Sequence, residues 1–148
     1  MANAQDLAYA AGIIDGEGYI GISTTPGKRN ATFRAMVAVG MCDPEVVVWL
    51  AETFGGSVYC YAPRGTAKRG THRWQVTGET AAVFCRLVRP YLRLKHRQAE
   101  LLVRYREDQR LDHTRRGGPG GQTPADEVVV KHRYAGDIRA LNQREAVV

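Results

Sequence analysis

The chain has 148 residues, a length that fits one domain and allows a core to form without a disulfide or metal staple. Its three cysteines, Cys42, Cys60 and Cys85, are odd in number and far apart, which favours a reducing compartment and argues against a zinc site. No apolar run approaches the roughly 20 residues of a membrane span and no targeting signal is visible, so we expect a cytoplasmic or organellar protein without a membrane partner.

The formal net charge is +6, and the charged residues are unevenly distributed. All fifteen carboxylate side chains lie outside two windows, residues 18–42 and 53–78. Concentrated positive charge attracts polyanions, so these windows are the expected contact with such a partner. They hold seven basic residues: Lys28, Arg29, Arg34, Arg64, Lys68, Arg69 and Arg73.

The first predicted helix covers residues 5–15, where apolar side chains recur at helical spacing. Small residues also recur along it at Ala8, Ala11 and Gly12, so another backbone could approach closely there. After Gly18 the apolar period changes to two and continues beyond the turn signal Pro26-Gly27. This change predicts a β-hairpin with one apolar face and one mixed face.

The rest of the chain predicts a helix after Asp43-Pro44, a second hairpin at residues 58–61 and 72–76, and helices at 79–89 and 94–110. We assign a core domain to residues 1–112, a Gly-rich linker to 113–122 and a helical tail to 123–148. This order predicts an α+β fold with a four-stranded antiparallel sheet that packs one face against helices. The other face would be free for a partner.

The densest chemical signal is the segment Ala10–Gly18, where a small-residue helix ends in Asp15 and Glu17, with glycines beside them. Carboxylates at a helix C-terminus oppose the helix dipole, so a cation should offset them. A magnesium ion fits because it binds carboxylate, carbonyl, water and phosphate oxygens. The alternative is that both acids are solvated turn residues or cap a loop, and the acids alone leave both interpretations open.

The segment Ala10–Gly18 resembles the LAGLIDADG motif of homing endonucleases, with Glu17 at the position of the second acid. Three further segments match that family in the same order, and the resemblance covers about residues 5–110: Phe54–Gly56, Arg73–Val76 and Pro90–Lys95. It implies an αββαββα fold in which the motif helices of two units pack together and two saddle-shaped sheets bind the major groove of duplex DNA. One motif per chain implies a homodimer.

The resemblance also implies an activity, namely metal-dependent hydrolysis of both strands of a long, near-palindromic DNA site, with Mg²⁺ and no small-molecule cofactor. Glu17 and the carbonyl of Gly16 would bind the metal, and Lys95 would be a catalytic residue near the phosphate and the attacking water. Asp15 would be mainly structural. The dimer contact would be formed by Ala8, Ala11 and Gly12. The structural alternatives are that Lys95 is a solvated lysine at a helix start and that the small residues of the first helix pack within a monomer.

Two positions depart from the pattern. Met41 lies where some relatives have a polar residue, and Glu45 where they have a basic one. Water activation then lacks an obvious partner, although His96 or Arg97 could substitute. The alternatives to a nuclease are an intron RNA maturase and a DNA-binding regulator that does not cleave, both on the same scaffold.

DNA contacts should fall to the strand face that alternates away from the core and to the turns. Arginine and glutamine suit base edges, whereas basic residues in loops suit phosphates. The third strand, from Val58 to Tyr61, does not reveal which parity faces the core. The expected contacts are Tyr19, Gly21, Ser23, Thr25, Thr32, Arg34, Met36, Arg73 and Gln75 on the strands, and Lys28, Arg29, Arg64, Lys68 and Arg69 in the turns.

Overall fold

The computed structural model describes residues 2–27, 31–113 and 123–145. These residues form α-helices and one four-stranded antiparallel sheet, so the predicted α+β class is confirmed. None of the described helices is both long and apolar enough to cross a membrane. The elements are α1 (Ala4–Glu17), β1 (Gly18–Thr25), β2 (Thr32–Met41), α2 (Pro44–Phe54), β3 (Ser57–Tyr61), β4 (Thr71–Thr77), α3 (Gly78–Val88), a short 3₁₀ turn (Arg89–Tyr91), α4 (His96–Glu107) and α5 (Ala125–Glu145). The linker assigned to 113–122 lies, apart from its first residue, outside the described residues.

Helix α1 begins at a capping box, in which the Asn3 side chain accepts from the Asp6 N–H at 2.9 Å and Asp6 accepts in return from Asn3. It runs two residues further than the sequence predicts, so Asp15 and Glu17 both lie in its last turn. Gly18 then starts β1 directly. A Cβ there would lie 2.6 Å from the Cα of Ile14, so only glycine allows so abrupt a change from helix to strand.

The sheet order is β1-β2-β4-β3, and its register places one set of apolar side chains under the helices. Val37 is the partner of both Ile20 and Val76, and Val39 is the partner of Trp74. All of these side chains are buried, and each contributes about 1.5–3 kcal/mol by leaving water. The Trp74 indole N–H donates to the Gly55 carbonyl at 2.8 Å, which ties the end of α2 to the sheet.

Helix α5 packs against α4 and β1. Ala135 and Ile138 are buried in the common core. The Asn142 amide donates to the Ile20 carbonyl at 3.0 Å, on the outer strand of the sheet. It thereby uses a backbone acceptor that an edge strand otherwise leaves unpaired. The helical tail is thus joined to the core domain by packing.

Candidate active site and nucleic-acid interface

The sheet face opposite the helices, called the open face here, carries the predicted DNA contacts. Its residues alternate with the buried set and are cross-strand neighbours, for example Ser23 with Arg34 and Thr25 with Thr32. Its larger side chains are exposed or half-exposed. The open face consists of Tyr19, Gly21, Ser23 and Thr25 on β1, Thr32, Arg34, Met36, Ala38 and Gly40 on β2, Ser57, Tyr59 and Tyr61 on β3, and Thr71, Arg73, Gln75 and Thr77 on β4.

The tyrosines of β3 are open-face residues that the sequence analysis missed. Tyr59 is paired with Arg73 and Tyr61 with Thr71, and the two rings are 44% and 45% exposed. Val58 lies on the other side and packs against the core. Residues 58–61 do not alternate in polarity, so their sequence does not indicate which side chains face the core. The pairing of β3 with β4 determines it.

The cations of the two basic windows have no carboxylate partner within the described residues. Arg34 is exposed on the open face, and the β3–β4 turn exposes Arg64, Lys68 and Arg69. Lys28 and Arg29, predicted in the β1–β2 turn, lie outside the described residues. In contrast, the helices carry mutually paired charges, including Arg86–Glu79, Arg86–Glu107 and Arg104–Glu100. Positive charge on the open side is therefore available to an external anion.

Glu17 lies at the rim of the open face. It is exposed, and its carboxylate accepts no hydrogen bond from any described residue. Because Gly18 is the partner of Val39, Glu17 falls beside Gly40, which is the partner of Arg73. Glu17 and Arg73 line one depression of about 580 Å³, together with Tyr19, Met36, Ala38, Gly40, Tyr61 and Thr71.

Asp15 points to the other side of the helix end and caps α4. Its carboxylate accepts the backbone N–H groups of Arg93 at 2.8 Å, Leu94 at 3.2 Å and Lys95 at 3.0 Å. These amides precede the first turn of α4, where negative charge is favourable. With three donors bound to it, this carboxylate is occupied in joining α1 to α4.

Lys95 makes the reciprocal contact. Its Nζ donates to the carbonyls of Gly18 at 2.7 Å, Ile14 at 3.0 Å and Asp15 at 3.4 Å. The ammonium thus lies at the C-terminus of α1, where a cation is favoured by the dipole. The two acids at the end of α1 predicted a nearby cation, which the sequence assigned to magnesium. Lys95 supplies one positive charge at this helix end. Its side chain is half-buried and directed at backbone.

Structural comparison identifies the fold. The homing endonuclease I-CvuI, solved in complex with DNA, has a TM-score of 0.71, 19% identity and coverage of 93% of this chain and 82% of its own. The archaeal intron-encoded homing endonuclease I-Vdi141I, complexed with DNA, also has a TM-score of 0.71, with 14% identity and coverage of 93% and 84%. The chain has the fold of the LAGLIDADG homing endonucleases. No protein-family model and no curated protein sequence matches it.

The LAGLIDADG fold extends further along the chain than the sequence resemblance. A third neighbour, the LAGLIDADG homing endonuclease I-GzeII in complex with its DNA target, has a TM-score of 0.59 and 13% identity, covering 90% of this chain and 43% of its own. Shares of 90% and 93% cannot be reached within the first 112 residues, so the common fold includes residues beyond that point.

The donors around Glu17 fit a magnesium ion that shares its coordination with substrate. Within the described residues no group of three or more His, Cys, Asp or Glu side chains could enclose a metal. Magnesium in phosphate chemistry needs only one or two carboxylates, because waters and phosphate oxygens complete its octahedron. The Glu17 carboxylate is unpaired, and the neighbouring Gly16 is exposed, with open space around it.

The two departures from the LAGLIDADG pattern provide no further donor at this site. Met41 is half-buried and packs against the core. Glu45 is exposed in the first turn of α2, where its own N–H donates to the Asp43 carboxylate at 3.0 Å. His96 and Arg97 are exposed at the start of α4, and no hydrogen bond joins either side chain to Glu17.

The three small residues of α1 that the resemblance assigns to a dimer contact differ in exposure. Ala8 and Gly12 are exposed, and a Cβ on Gly12 would meet no atom within 4 Å. Ala11 is completely buried in the core of its own chain, so a partner cannot reach it and its assignment to a dimer interface is wrong. Its position, one-sixth of a turn from Ala8, places it on the inward side of the helix. The exposed ring of Tyr9 packs edge-on against Trp49, with ring centroids 5.1 Å apart.

Proposed function

We propose that this protein is a site-specific endonuclease that binds duplex DNA on its open face and hydrolyses both strands as a homodimer with magnesium. The observation that carries the proposal is the unpaired Glu17 carboxylate at the rim of a basic sheet face that holds no other acid. An anionic duplex on that face would bring a phosphate beside the one group suited to hold a divalent ion. The neighbours I-CvuI and I-Vdi141I, both solved with DNA, support the DNA partner.

Binding and base reading fall to different parts of this face. Arg34, Gln75 and the hydroxyls of Ser23, Thr25 and Thr32 project from the strands toward where base edges would lie. The basic residues of the two turns, Lys28, Arg29, Arg64, Lys68 and Arg69, are proposed to contact phosphates. Phosphate contacts set register and orientation, whereas the strand residues select sequence.

At the cleavage centre, Glu17 and the Gly16 carbonyl would hold the magnesium ion. Such an ion supplies Lewis-acid stabilisation of the phosphate and lowers the pKa of a bound water. Lys95 and Asp15 act through backbone: the ammonium binds the carbonyls of the last helical turn, and the carboxylate binds the amides before α4. We therefore assign Lys95 a positioning role, in which it fixes the direction in which Glu17 leaves the helix.

The homodimer would form through the exposed small-residue face of α1, at Ala8 and Gly12. Without a side chain at Gly12, the two helices can approach closely. Each copy contributes one Glu17, and hydrolysis of two strands requires one such centre for each. Pairing through α1 would place both centres near the two-fold axis, because Glu17 ends the same helix.

The test begins with selection of bound duplexes from a randomised pool, since the enriched duplexes themselves reveal the preferred site. Cleavage of the selected duplex is then measured with and without Mg²⁺. We expect double-strand cutting that requires Mg²⁺ and disappears in Glu17→Gln, with binding retained. Glu52→Gln, a matched change at an exposed acid of α2, should cut like the parent.

Two outcomes would contradict this proposal. Selective binding without cutting under any divalent ion would make the protein a DNA-binding regulator. Met41 and Glu45, the two residues that depart from the LAGLIDADG pattern, are consistent with that outcome. Selection of structured RNA in preference to duplex DNA would make it a maturase.

A further inference from the structure

Arg73 is a half-buried cation near the middle of the open face, and its hydrogen-bonding capacity is largely unused. Its Nε is buried and has no hydrogen-bond partner. Its Nη2 reaches only the Met36 sulfur, a weak acceptor, at 3.7 Å. No carboxylate of the described residues pairs with it. Because a buried donor without an acceptor destabilises a fold, this arrangement indicates a group held for a ligand.

The register shows how the side chain lies. Arg73 is paired with Gly40, whereas Met36 is paired with Thr77, four residues further along β4. To reach Met36, the arginine must run along the sheet surface past Ala38, and the small residues Gly40 and Ala38 leave the room for it. Arg73 and Met36 consequently line both the depression beside Glu17 and its neighbour, which is lined by Ser23, Thr25, Thr32, Arg34, Met36, Tyr61, Arg73 and Gln75.

Resting on the proposed function, we infer that Arg73 reads one guanine in each half of the DNA site through the adjacent O6 and N7 acceptors of the major-groove edge. Guanine presents these two acceptors at the spacing of the guanidinium fork. A phosphate could also accept two bonds, but Arg73 lies in the sheet between Gly40 and Tyr59 of the neighbouring strands. The exposed basic residues of the β3–β4 turn are better placed for phosphates. Gln75 is its neighbour on the same face and suits an adjacent base.

The test compares Arg73→Met and Arg73→Lys with the parent by selection from a randomised duplex pool, followed by binding titrations. Both variants should lose preference for guanine at one position per half-site, by about 5- to 150-fold against other bases. Lysine keeps the charge but not the fork, so it separates base reading from charge. Arg34→Met, the matched change at an exposed arginine of the same face, should alter a different position.

A chemical probe then localises the contact. Replacing the assigned guanine by 7-deazaguanine removes N7 and keeps base pairing, so the parent should bind at least roughly fivefold more weakly, while Arg73→Met should show no further loss. The midpoint of urea denaturation of Arg73→Met should equal or exceed that of the parent, because the change removes an unsatisfied buried donor.

The inference is overturned if Arg73→Met weakens all duplexes equally while Arg73→Lys restores binding, since that is the behaviour of a phosphate contact. It is also overturned if guanine preference persists in both variants. In either case cutting at the parent's selected site would leave the endonuclease proposal standing. If the parent selects no duplex at all, both proposals fall.

Discussion

Two carboxylates in one helical turn have opposite environments, and this difference separates their roles. Asp15 accepts three backbone N–H groups that precede α4, whereas Glu17 accepts none from the described residues. The sequence identifies both acids but not the partner of either. Lys95 lies 80 residues from Asp15, and only the folded chain brings its ammonium to the carbonyls at the end of α1.

The contacts of Asp15 and Lys95 at the junction of α1 and α4 predict that the effects of removing them are coupled. Asp15→Ala and Lys95→Met should each lower the free energy of unfolding by about 1–3 kcal/mol, because each leaves backbone groups of the α1–α4 junction without a side-chain partner. The double variant should lose less than the sum, since both side chains hold one junction. Urea denaturation of the four proteins measures this, with Arg93→Ala as the control, because Arg93 contributes only its backbone N–H to the cap. Additive losses would argue against a shared junction.

A separate readout tests whether Lys95 positions Glu17. If the lysine orients the last turn of α1, Lys95→Met should raise the magnesium concentration needed for half-maximal cutting, while binding of DNA without metal stays unchanged. A direct contact with phosphate would instead weaken metal-free binding.

At the scale of elements, periodicity predicts most of the fold. A period of two in the apolar residues marks β1 and β2, and the cap at Asp43 with Pro44 sets the start of α2, so the positions of these elements follow from local sequence. The residues of β3 do not alternate in polarity, and which of its side chains lie on the open face depends on its pairing with β4. The docking of α5 is also a tertiary property, because Asn142 reaches the Ile20 carbonyl 122 residues away and no local pattern specifies that bond.

The end of α4 and its contact with α5 predict an acid-sensitive stability. Burial lowers the pKa of His113 below its ordinary 6.5, while its Nε2–H donates to the Tyr105 carbonyl at 2.9 Å. Hydrogen bonding to Arg110, and also to Tyr134 of α5, holds the pKa of Asp108 well below its ordinary 3.8. In both cases the unfolded chain binds a proton more readily, so stability falls as pH falls.

The urea midpoint should therefore decline as pH drops below about 6.5 and decline again below about 4. His113→Gln should remove the first decline, whereas His96→Gln, at an exposed position of α4, should not. A first decline of the same size in His113→Gln would show that His113 is not its source.

At the scale of the whole molecule, the helical side and the open face of the sheet differ in how their charges are paired. Glu79, Glu100 and Glu107 of α3 and α4 pair with arginines, while the open face and its turn present cations without carboxylate partners among the described residues. A net charge of +6 alone allowed any polyanion as partner. The unpaired cations of the described residues lie on one sheet face and its turn, with Glu17 at the rim, and this placement supports the proposal of a duplex laid across that face beside Glu17.

The proposed assembly makes a last prediction at Gly12. This glycine is helical and has no neighbouring atom within 4 Å of a Cβ, so Gly12→Gln should fold normally and should even gain up to about 1 kcal/mol of helix propensity. The larger side chain would nevertheless keep two α1 helices apart, so the variant should sediment as a monomer and lose double-strand cutting. Gly136→Gln is the matched control, because Gly136 is an equally open helical glycine on α5, away from the proposed contact. It should gain the same stability and still dimerise, and dimerisation of Gly12→Gln would place the two-fold contact elsewhere on the molecule.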